Sequence, residues 1–408
     1  MNAAQTKTLN ISIVILVTLL CLLPPVAALA PRILGTAPAI IGLLMVLSAG
    51  FFGARWPKVN RLYLLTAGGV TALALLSSFW SLDPAFAIER TWKTALILLG
   101  GLCLFSVLKS DNFKPPQFFY TVLPFAVLVA GALCLFELLT HGLIYYSWRG
   151  KELQVDYKNL SMVNRAVVTF IMLLPLAYTF LQSADLKQGL KKVIMLSLFA
   201  VAACVLFLTH SQTAHLAILV FFVFWFGFPY GCKKAWMAVT LIISAGILTM
   251  PWGVQFFYST LAQHIHTMPW LSDGYAADRL EIWDFIARKA LESPFYGFGI
   301  EATRHIENFE TAMLYTPLDH VLHPHNAVMQ IWIEFGALGA VLLCAFIAGV
   351  MKALSGLDTQ SARLSLSLFM AICAISCISY GLWQGWWLGL FVLLAALTGH
   401  AATLKKAA

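Results

Sequence analysis

Long apolar runs separated by short polar segments cover most of the 408-residue chain. A membrane-spanning helix needs about 20 predominantly apolar residues, and runs of roughly that length predict twelve spans. They cover residues 9–30, 33–53, 62–81, 91–108, 117–140, 162–182, 192–209, 213–229, 235–252, 325–351, 364–380 and 384–403. The first run lacks a small-residue cleavage site, so we expect it to be retained as a span. The pattern predicts an all-α polytopic protein embedded in a lipid bilayer.

One polar segment is much longer than the others and divides the chain into three regions. We expect spans 1–9 within residues 1–252, a loop containing amphipathic helices at 253–324, and spans 10–12 within 325–408. One alternating set of short loops carries 15 Lys or Arg but only three Asp or Glu. Because positive loops stay inside, both termini should be cytoplasmic and the long loop should lie on the outer side.

Composition narrows the function classes. The chain is 60% hydrophobic and 11% charged, whereas soluble proteins average about 25% charged residues. The net charge of +8 comes without a basic, aromatic-interleaved cluster, so we expect no nucleic-acid partner. The cysteines lie almost entirely in apolar runs, which predicts no disulfide framework or zinc site. Deep ionisable residues are nearly confined to Glu137 and Glu334, which disfavours a proton- or ion-coupled transporter.

The long loop contains a predicted helix over residues 278–291. Its apolar stripe has helical spacing and consists of Leu280, Trp283, Ala287 and Leu291, with Ile286 beside them. Arg288 and Lys289 in the last turn suit the helix dipole, and Pro294 predicts a stop before a glycine-rich turn at 295–299. Two interpretations remain open. The helix lies on the bundle or the outer leaflet with Arg279 solvated, or it presents Arg279 to a substrate.

The sequence His323-Pro324-His325-Asn326 stands at the start of the tenth span. Proline suits the first helical position, which predicts His323 as the N-cap and places His325 and Asn326 in the first turn. The positive end of the helix dipole disfavours an imidazolium, so His325 should be neutral and available as a base. Alternatively, the histidines only cap the span, or they bind a metal, although no DxD or HExxH motif accompanies them.

These segments occur in an order that resembles the bacterial O-antigen ligase/polymerase superfamily. The family pattern is an R-x-x-x-W helix, a P-x-x-G-x-G turn, and an H-x-H-N start to a span ending in G-x-x-G. The matching segments are 278–283, 293–299, 323–326 and 331–339. The resemblance covers about residues 160–350 and implies a GT-C-like membrane glycosyltransferase. Chain length and the single large loop are closer to lipopolysaccharide O-antigen ligases than to protein-glycosylating relatives.

The resemblance implies a reaction at the periplasmic face of the bacterial inner membrane. O-antigen polysaccharide would pass from undecaprenyl pyrophosphate to a sugar hydroxyl of lipid A–core, with inversion and without metal or other cofactor. His325 would act as the base, with His323 as the alternative, and Arg279 would bind the pyrophosphate. Further candidates for contacts to substrate phosphates are Arg90, Arg149, Arg165, Arg304 and Asn326.

One segment departs from the family pattern. Members often carry Ser-Arg-Gly after the seventh span, where this chain has Gln212 in place of the arginine. Arg165 and His210 are the candidates to compensate, beside Gln212 itself. The sequence leaves three rival functions open, namely an O-antigen polymerase, a protein O-oligosaccharyltransferase, and a lipid-linked glycan flippase or other transporter.

Overall fold

A computed structural model describes residues 3–51, 56–110, 113–152, 160, 162–265, 267–268, 276–306 and 321–404. Over these residues the regular elements are helical, as the apolar runs predicted. The α-helices are α1 (Ala3–Leu29), α2 (Ala37–Phe51), α3 (Arg61–Ser77), α4 (Pro84–Leu108), α5 (Phe119–Leu139), α6 (Leu143–Trp148), α7 (Asn164–Gln182), α8 (Gln188–Leu208), α9 (Gln212–Gly227), α10 (Lys233–Ile265), α11 (Ala276–Ala290), α12 (Ala327–Ser355), α13 (Thr359–Ser376) and α14 (Gly385–Leu404). Short 3-10 helices occupy Pro31–Gly35 and Ala302–His305.

Each of the twelve predicted spans coincides with one helix. Eight helices of the described residues are long and apolar enough to cross a membrane, namely α1, α4, α5, α7, α8, α10, α12 and α14. Three shorter apolar helices, α2, α3 and α9, and α13 correspond to the other predictions. Helix α10 continues to Ile265 although its span was predicted to end at 252, because the residues up to Leu261 are still apolar enough to belong to the span.

The outer surface of the bundle is apolar. Phe207 is 89% exposed on α8, and Ile242 is 69% exposed on α10. Large apolar side chains in contact with water would be unfavourable by roughly 1.5–3 kcal/mol each, whereas lipid tails solvate them. The exposed apolar faces and the long helices together define a multi-pass membrane protein.

Helix α11 packs on α10 and α12 rather than standing apart from the bundle. The predicted helix is confirmed, but the predicted apolar stripe is partly wrong. Its fully buried apolar positions include Ile282, Ile286 and Ala290, whereas Leu280 is only half-buried. The contact with two neighbouring helices selects the face that is buried, and spacing within α11 alone does not reveal which face that is.

Helix α12 is interrupted at Gly336, where φ is 58° and ψ is −151°. The interruption removes the helical partners of two carbonyl groups and two N–H groups, and the turn after α11 supplies replacements. Four backbone hydrogen bonds join the segments: Phe298 N to Ile333 O at 2.9 Å, Gly299 N to Glu334 O at 2.9 Å, Ala337 N to Pro294 O at 2.7 Å, and Leu338 N to Phe295 O at 3.1 Å. The glycine-rich turn and the broken span therefore form one structural unit.

Two glycines make this contact possible. A Cβ at Gly297 would lie 2.4 Å from the carbonyl carbon of Glu334, and one at Gly336 would lie 2.6 Å from that of Phe295. Both glycines have positive φ, at 65° and 58°, which costs other residues about 1–2 kcal/mol. The backbones of the turn and of α12 thus touch directly, beside the start of the same helix.

Candidate functional site

Helix α12 begins three residues later than the sequence predicted. Asn326 is its N-cap, because Asn326 Oδ1 accepts hydrogen bonds from the backbone N–H groups of Val328 at 2.9 Å and Met329 at 3.1 Å. The predicted N-cap at His323 and the predicted first-turn position of His325 are wrong, since asparagine caps helices far better than most residues. Asn326 is buried, and its side-chain oxygen is already used in these two hydrogen bonds. The predicted contact between Asn326 and a substrate phosphate stays a prediction.

His325 lies outside the helix and turns its ring toward the α13–α14 loop, which comprises residues 377–384. Its φ of 56° is unusual for a residue with a side chain. His325 Nδ1 lies 2.5 Å from the backbone oxygen of Ser379. Since a carbonyl oxygen only accepts, Nδ1 carries the proton in this bond and Nε2 keeps its lone pair. Within the described residues, His325 Nε2 has no hydrogen-bond partner.

Burial lowers the pKa of His325 below its usual range, and the positive charge of Arg279 adds to the lowering. The hydrogen bond to Ser379 opposes this effect. The imidazole is therefore neutral near pH 7, in the direction that the sequence predicted. The cause differs, because burial rather than position in the first helical turn disfavours the imidazolium.

His323 is buried, and its ring centroid lies 4.2 Å from that of His325. Both of its ring nitrogens lie within hydrogen-bond distance of protein groups: Nδ1 accepts the backbone N–H of His325 at 3.3 Å, and Nε2 lies 2.9 Å from the side-chain amide of Gln384. Burial lowers the pKa of His323 to about 3. A proton on His323 is thus strongly disfavoured, and of the two candidate bases the arrangement favours His325.

Helix α11 is tied to the His-Pro-His segment through Trp283. The indole N–H of Trp283 donates to the backbone oxygen of Pro324 at 2.7 Å. Arg279 lies four residues earlier on the same helix face, and its positive charge contributes to the lowered pKa of His325. Burial lowers the pKa of the Arg279 guanidinium, with Tyr380 opposing. Arg279 forms no ion pair with the residues that the structure describes, so it is a half-buried cation suited to an anionic ligand.

The α13–α14 loop forms one wall of the site, and sequence reasoning missed its role. Its Ser379 carbonyl orients His325, and Gln384 contacts His323. A Cβ at Gly381 would lie 2.8 Å from His323 Cγ, so the loop backbone packs directly on the imidazole. In the sequence, Gly381 stands only in the short segment between the predicted spans 364–380 and 384–403. The polar residues around it, in a strongly apolar region, were the available signal.

A buried amide–carboxyl network fixes this loop against α12. The indole N–H of Trp383 donates to Glu334 Oε2 at 2.5 Å, and Gln330 Nε2 donates to Glu334 Oε1 at 2.9 Å. Gln330 Oε1 in turn accepts the backbone N–H of Leu382 at 2.8 Å. Glu334 is fully buried. One of the two deep ionisable residues noted in the sequence therefore has partners that hold the site together.

A cavity of about 570 Å³ is lined in part by Arg32, Arg149 and Arg165. The half-buried Arg165 lies 5.6 Å above the Trp386 ring, and its charge lowers the pKa of His323. Arg165 makes no ion pair with a described residue. Arg149 is exposed and lies 4.2 Å from the ring centroid of Tyr145. Of these three arginines, Arg165 is the one whose positive charge contributes to the lowered pKa of His323.

The other deep carboxylate, Glu137, shapes this cavity. Glu137 is 4% exposed, and its oxygens accept the backbone N–H groups of Ile144 at 2.8 Å and Tyr145 at 3.1 Å. It thereby caps α6, the short helix that carries Tyr145 and Trp148 to the cavity wall.

The segment that departs from the family pattern adjoins the site without pointing into it. Thr213 Oγ1 donates to Ser379 Oγ at 3.0 Å, which joins the start of α9 to the α13–α14 loop. The side chains of Gln212 and His210 are exposed. The two remaining candidates, Arg90 and Arg304, both lie against the buried carboxylate of Glu301.

Fold and site together define a polytopic helical membrane protein with a neutral histidine and, among the residues that the structure describes, two arginines without an ion pair, Arg279 and Arg165. Residues 197–344 match the family described as O-antigen ligase. This region includes α11, the His-Pro-His segment and the broken part of α12. The match confirms, over this part of the chain, the resemblance that the ordered motifs predicted: residues 197–344 are similar to the O-antigen ligase family.

Two similar proteins are both named "Putative polysaccharide ligase". The one from Rickettsia conorii is 34% identical over 128 residues, covering 29% of this chain and 31% of the relative. The one from Rickettsia prowazekii is 35% identical over 128 residues, with the same coverage of 29% and 31%. The similarity thus spans about a third of each relative.

Proposed function

We propose that the chain is a glycosyltransferase that ligates O-antigen polysaccharide from undecaprenyl pyrophosphate to a sugar hydroxyl of lipid A–core, at the periplasmic face of the inner membrane. The observation that carries the proposal is the pairing of a neutral His325, whose Nε2 has no hydrogen-bond partner among the described residues, with Arg279, which forms no ion pair with a residue that the structure describes. Glycan transfer from a lipid pyrophosphate needs these two elements, a base for the acceptor and a cation for the leaving group.

In the proposed reaction, the acceptor hydroxyl gives its proton to His325 Nε2 as its oxygen attacks the anomeric carbon. The bond from that carbon to the pyrophosphate oxygen breaks, and undecaprenyl pyrophosphate leaves with the electron pair. Direct displacement inverts the anomeric configuration. The carbonyl of Ser379 accepts Nδ1–H throughout, which stabilises the imidazolium that forms. Arg279 contacts pyrophosphate oxygens, for which a guanidinium fork is well suited.

Arg165 fits a second phosphate contact in the cavity that it lines together with Arg32 and Arg149. It is half-buried there, and its charge reaches His323. This position supports Arg165, rather than the exposed His210 or Gln212, as the replacement for the arginine that the family pattern places at position 212. The lipid chains of both substrates would lie against the apolar outer faces of the bundle.

Replacing Arg279 by lysine should raise the KM for the lipid-linked donor by about tenfold to a hundredfold. Lysine keeps the charge but loses the fork of donors, and one hydrogen bond to a charged group is worth about 1.5–3 kcal/mol. Initial rates at varied donor concentration measure the change. Arg288→Lys is the matched control, since Arg288 is exposed on the same helix and pairs with Asp284. A donor KM equal to that of wild type in Arg279→Lys would show that Arg279 does not bind the donor.

The pH dependence of kcat/KM should follow the protonation of the His325 imidazole. An ordinary histidine has a pKa of about 6.5, and burial lowers that of His325. The base is active when neutral, so activity should persist below pH 6.5 and fall only as the pH drops through the lowered pKa. Arg279→Gln should move this acid limb to higher pH, because the charge that helps to lower the pKa is gone, whereas Arg279→Lys should leave it in place. An acid limb above pH 6.5 in wild type would contradict the assignment.

The activity itself is tested with purified protein in liposomes, supplied with undecaprenyl-pyrophosphate-linked glycan and lipid A–core. We expect a covalent glycolipid product with inverted anomeric configuration, and undiminished rates in excess chelator. Movement of the glycan across the bilayer without a covalent product would identify a transporter instead. Growth of the lipid-linked glycan at the expense of a second lipid-linked glycan would identify a polymerase.

A further inference from the structure

Glu301 is a buried carboxylate shared by two arginines from different parts of the chain. It is 4% exposed and immediately precedes the 3-10 helix at Ala302–His305. Its Oε2 accepts a hydrogen bond from Arg304 Nε at 2.6 Å, and its Oε1 lies 2.9 Å from Nε of Arg90 on α4. The Arg90 N–H does not point at that oxygen, so the second contact is an ion pair without a hydrogen bond. One carboxylate thus forms ion pairs with two guanidinium groups.

The contacts with Glu301 involve only the inner nitrogen of each guanidinium. A guanidinium carries five N–H donors, and the terminal nitrogens of Arg90 and Arg304 make no ion pair or hydrogen bond with described residues. The ring of Phe86 restrains both groups, with its centroid 5.2 Å from Arg90 Cζ and 5.8 Å from Arg304 Cζ. The arginines are therefore held in place while most of their donors remain available.

Polar atoms of the 3-10 helix that carries Arg304 also lack partners among the described residues. Thr303 is 2% exposed, and its buried Oγ1 has no hydrogen-bond partner among the described residues; the same holds for His305 Nε2. Buried polar atoms in native proteins are almost always hydrogen-bonded, so the unpartnered hydroxyl of Thr303, which directly precedes Arg304 in the chain, favours a polar ligand at this position. Glu301 itself has a φ of 60°, an unusual conformation of the kind that clusters at ligand sites.

We propose that Arg90, Arg304 and Thr303 form a second phosphate-binding subsite and that Glu301 is the positioning residue that holds the two arginines. The proposal rests on the glycan-transfer function above. The excess positive charge, the two forks of N–H donors and the hydroxyl donor fit a phosphate oxyanion. The subsite adjoins the histidines, since the charge of Arg304 acts on His323. It takes a phosphate of either substrate, the donor pyrophosphate or a phosphate carried by the acceptor glycolipid.

The test uses Glu301→Gln and Glu301→Asp in the full-length protein in liposomes, with kcat and KM measured for each substrate. Glu301→Gln removes the charge that aligns the arginines, so the KM of the phosphate-bearing substrate should rise by about tenfold, roughly the value of one charge-assisted hydrogen bond. The kcat should stay within about twofold, because Glu301 does not touch the reacting atoms. Glu301→Asp keeps the charge and should recover most of the affinity.

Two measurements distinguish an acceptor phosphate from the donor pyrophosphate as the ligand of the subsite. With the acceptor's phosphates removed by a phosphatase, wild type and Glu301→Gln should have equal acceptor KM if the subsite binds the acceptor. If it binds the donor, the inhibition constant of undecaprenyl pyrophosphate should instead rise about tenfold in Glu301→Gln. Glu292→Gln is the matched control, since Glu292 is 57% exposed and pairs with Lys289, and it should change neither constant.

Equal KM values and inhibition constants in Glu301→Gln and wild type would overturn the subsite. So would a lower melting temperature with a fall in kcat alone, which is the signature of a purely structural ion pair. Calorimetric binding of inorganic pyrophosphate to wild type and Glu301→Gln gives a readout independent of turnover. Weaker binding by the variant supports the subsite even if wild-type protein transfers no glycan, a result that would refute only the proposed function.

Discussion

Replacing His325 by alanine should lower kcat/KM for glycan transfer by about a hundredfold to ten-thousandfold, the usual contribution of a positioned general base. The expectation follows from the hydrogen bonds of the two histidines. His325 donates Nδ1–H to the Ser379 carbonyl, and its Nε2 has no partner among the described residues, whereas both ring nitrogens of His323 contact protein groups. No rescue by His323 is therefore expected, and its pKa of about 3 makes it a poor proton acceptor.

The assay needs controls that separate loss of the base from loss of the fold. His325→Gln retains an amide that can donate to the Ser379 carbonyl but has no basic nitrogen, so it should be as inactive as alanine. His264→Ala replaces an exposed histidine at the end of α10 and should be fully active. Size-exclusion profiles of detergent-solubilised protein check folding. Ligation at the wild-type rate by well-folded His325→Ala would exclude His325 as the base.

Replacing Gly336 by alanine should prevent the glycine-rich turn from docking on α12. A Cβ there would lie 2.6 Å from the carbonyl carbon of Phe295, and the positive φ adds about 1–2 kcal/mol of strain. Four backbone hydrogen bonds between the turn and α12 depend on the close contact of the two backbones, and each is worth about 1 kcal/mol net. The summed loss of about 5 kcal/mol is comparable to the whole stability of many proteins.

We therefore expect little folded Gly336→Ala protein in the membrane and a markedly lower melting temperature for what is recovered. Gly246→Ala on α10 is the matched control, since a Cβ at Gly246 meets nothing within 4 Å. It should melt at the wild-type temperature or slightly above, because alanine favours helices by about 1 kcal/mol over glycine. Equal melting temperatures for Gly336→Ala and wild type would show that the docked turn is not needed for the fold.

The helices were predictable because the bilayer imposes length and apolarity on each span locally. The same holds for α11, whose acidic start, basic end and following proline all lie within one segment. The motifs around Arg279 and His325 were recognisable as an ordered set. Their mutual placement was predicted only through the family resemblance, and the Trp283–Pro324 hydrogen bond supplies its physical cause.

The features that sequence reasoning missed depend on contacts between distant segments. Ser379 lies 54 residues from His325, and nothing in the local pattern of the α13–α14 loop reveals that its carbonyl selects a histidine tautomer. The buried face of α11 was misjudged because α10 and α12 determine it. The helix start was misplaced because Pro324 and Asn326 both carry start signals, and the side-chain bonds of Asn326 prevail.

The lipopolysaccharide of a strain lacking this chain tests the central claim most directly. If the chain ligates O-antigen to lipid A–core, the long-chain ladder on a lipopolysaccharide gel should disappear and undecaprenyl-linked glycan should accumulate. A plasmid carrying the wild-type chain should restore the ladder. An intact ladder in the deletion strain, or loss of the ladder with only short lipid-linked glycan present, would contradict ligation as the function.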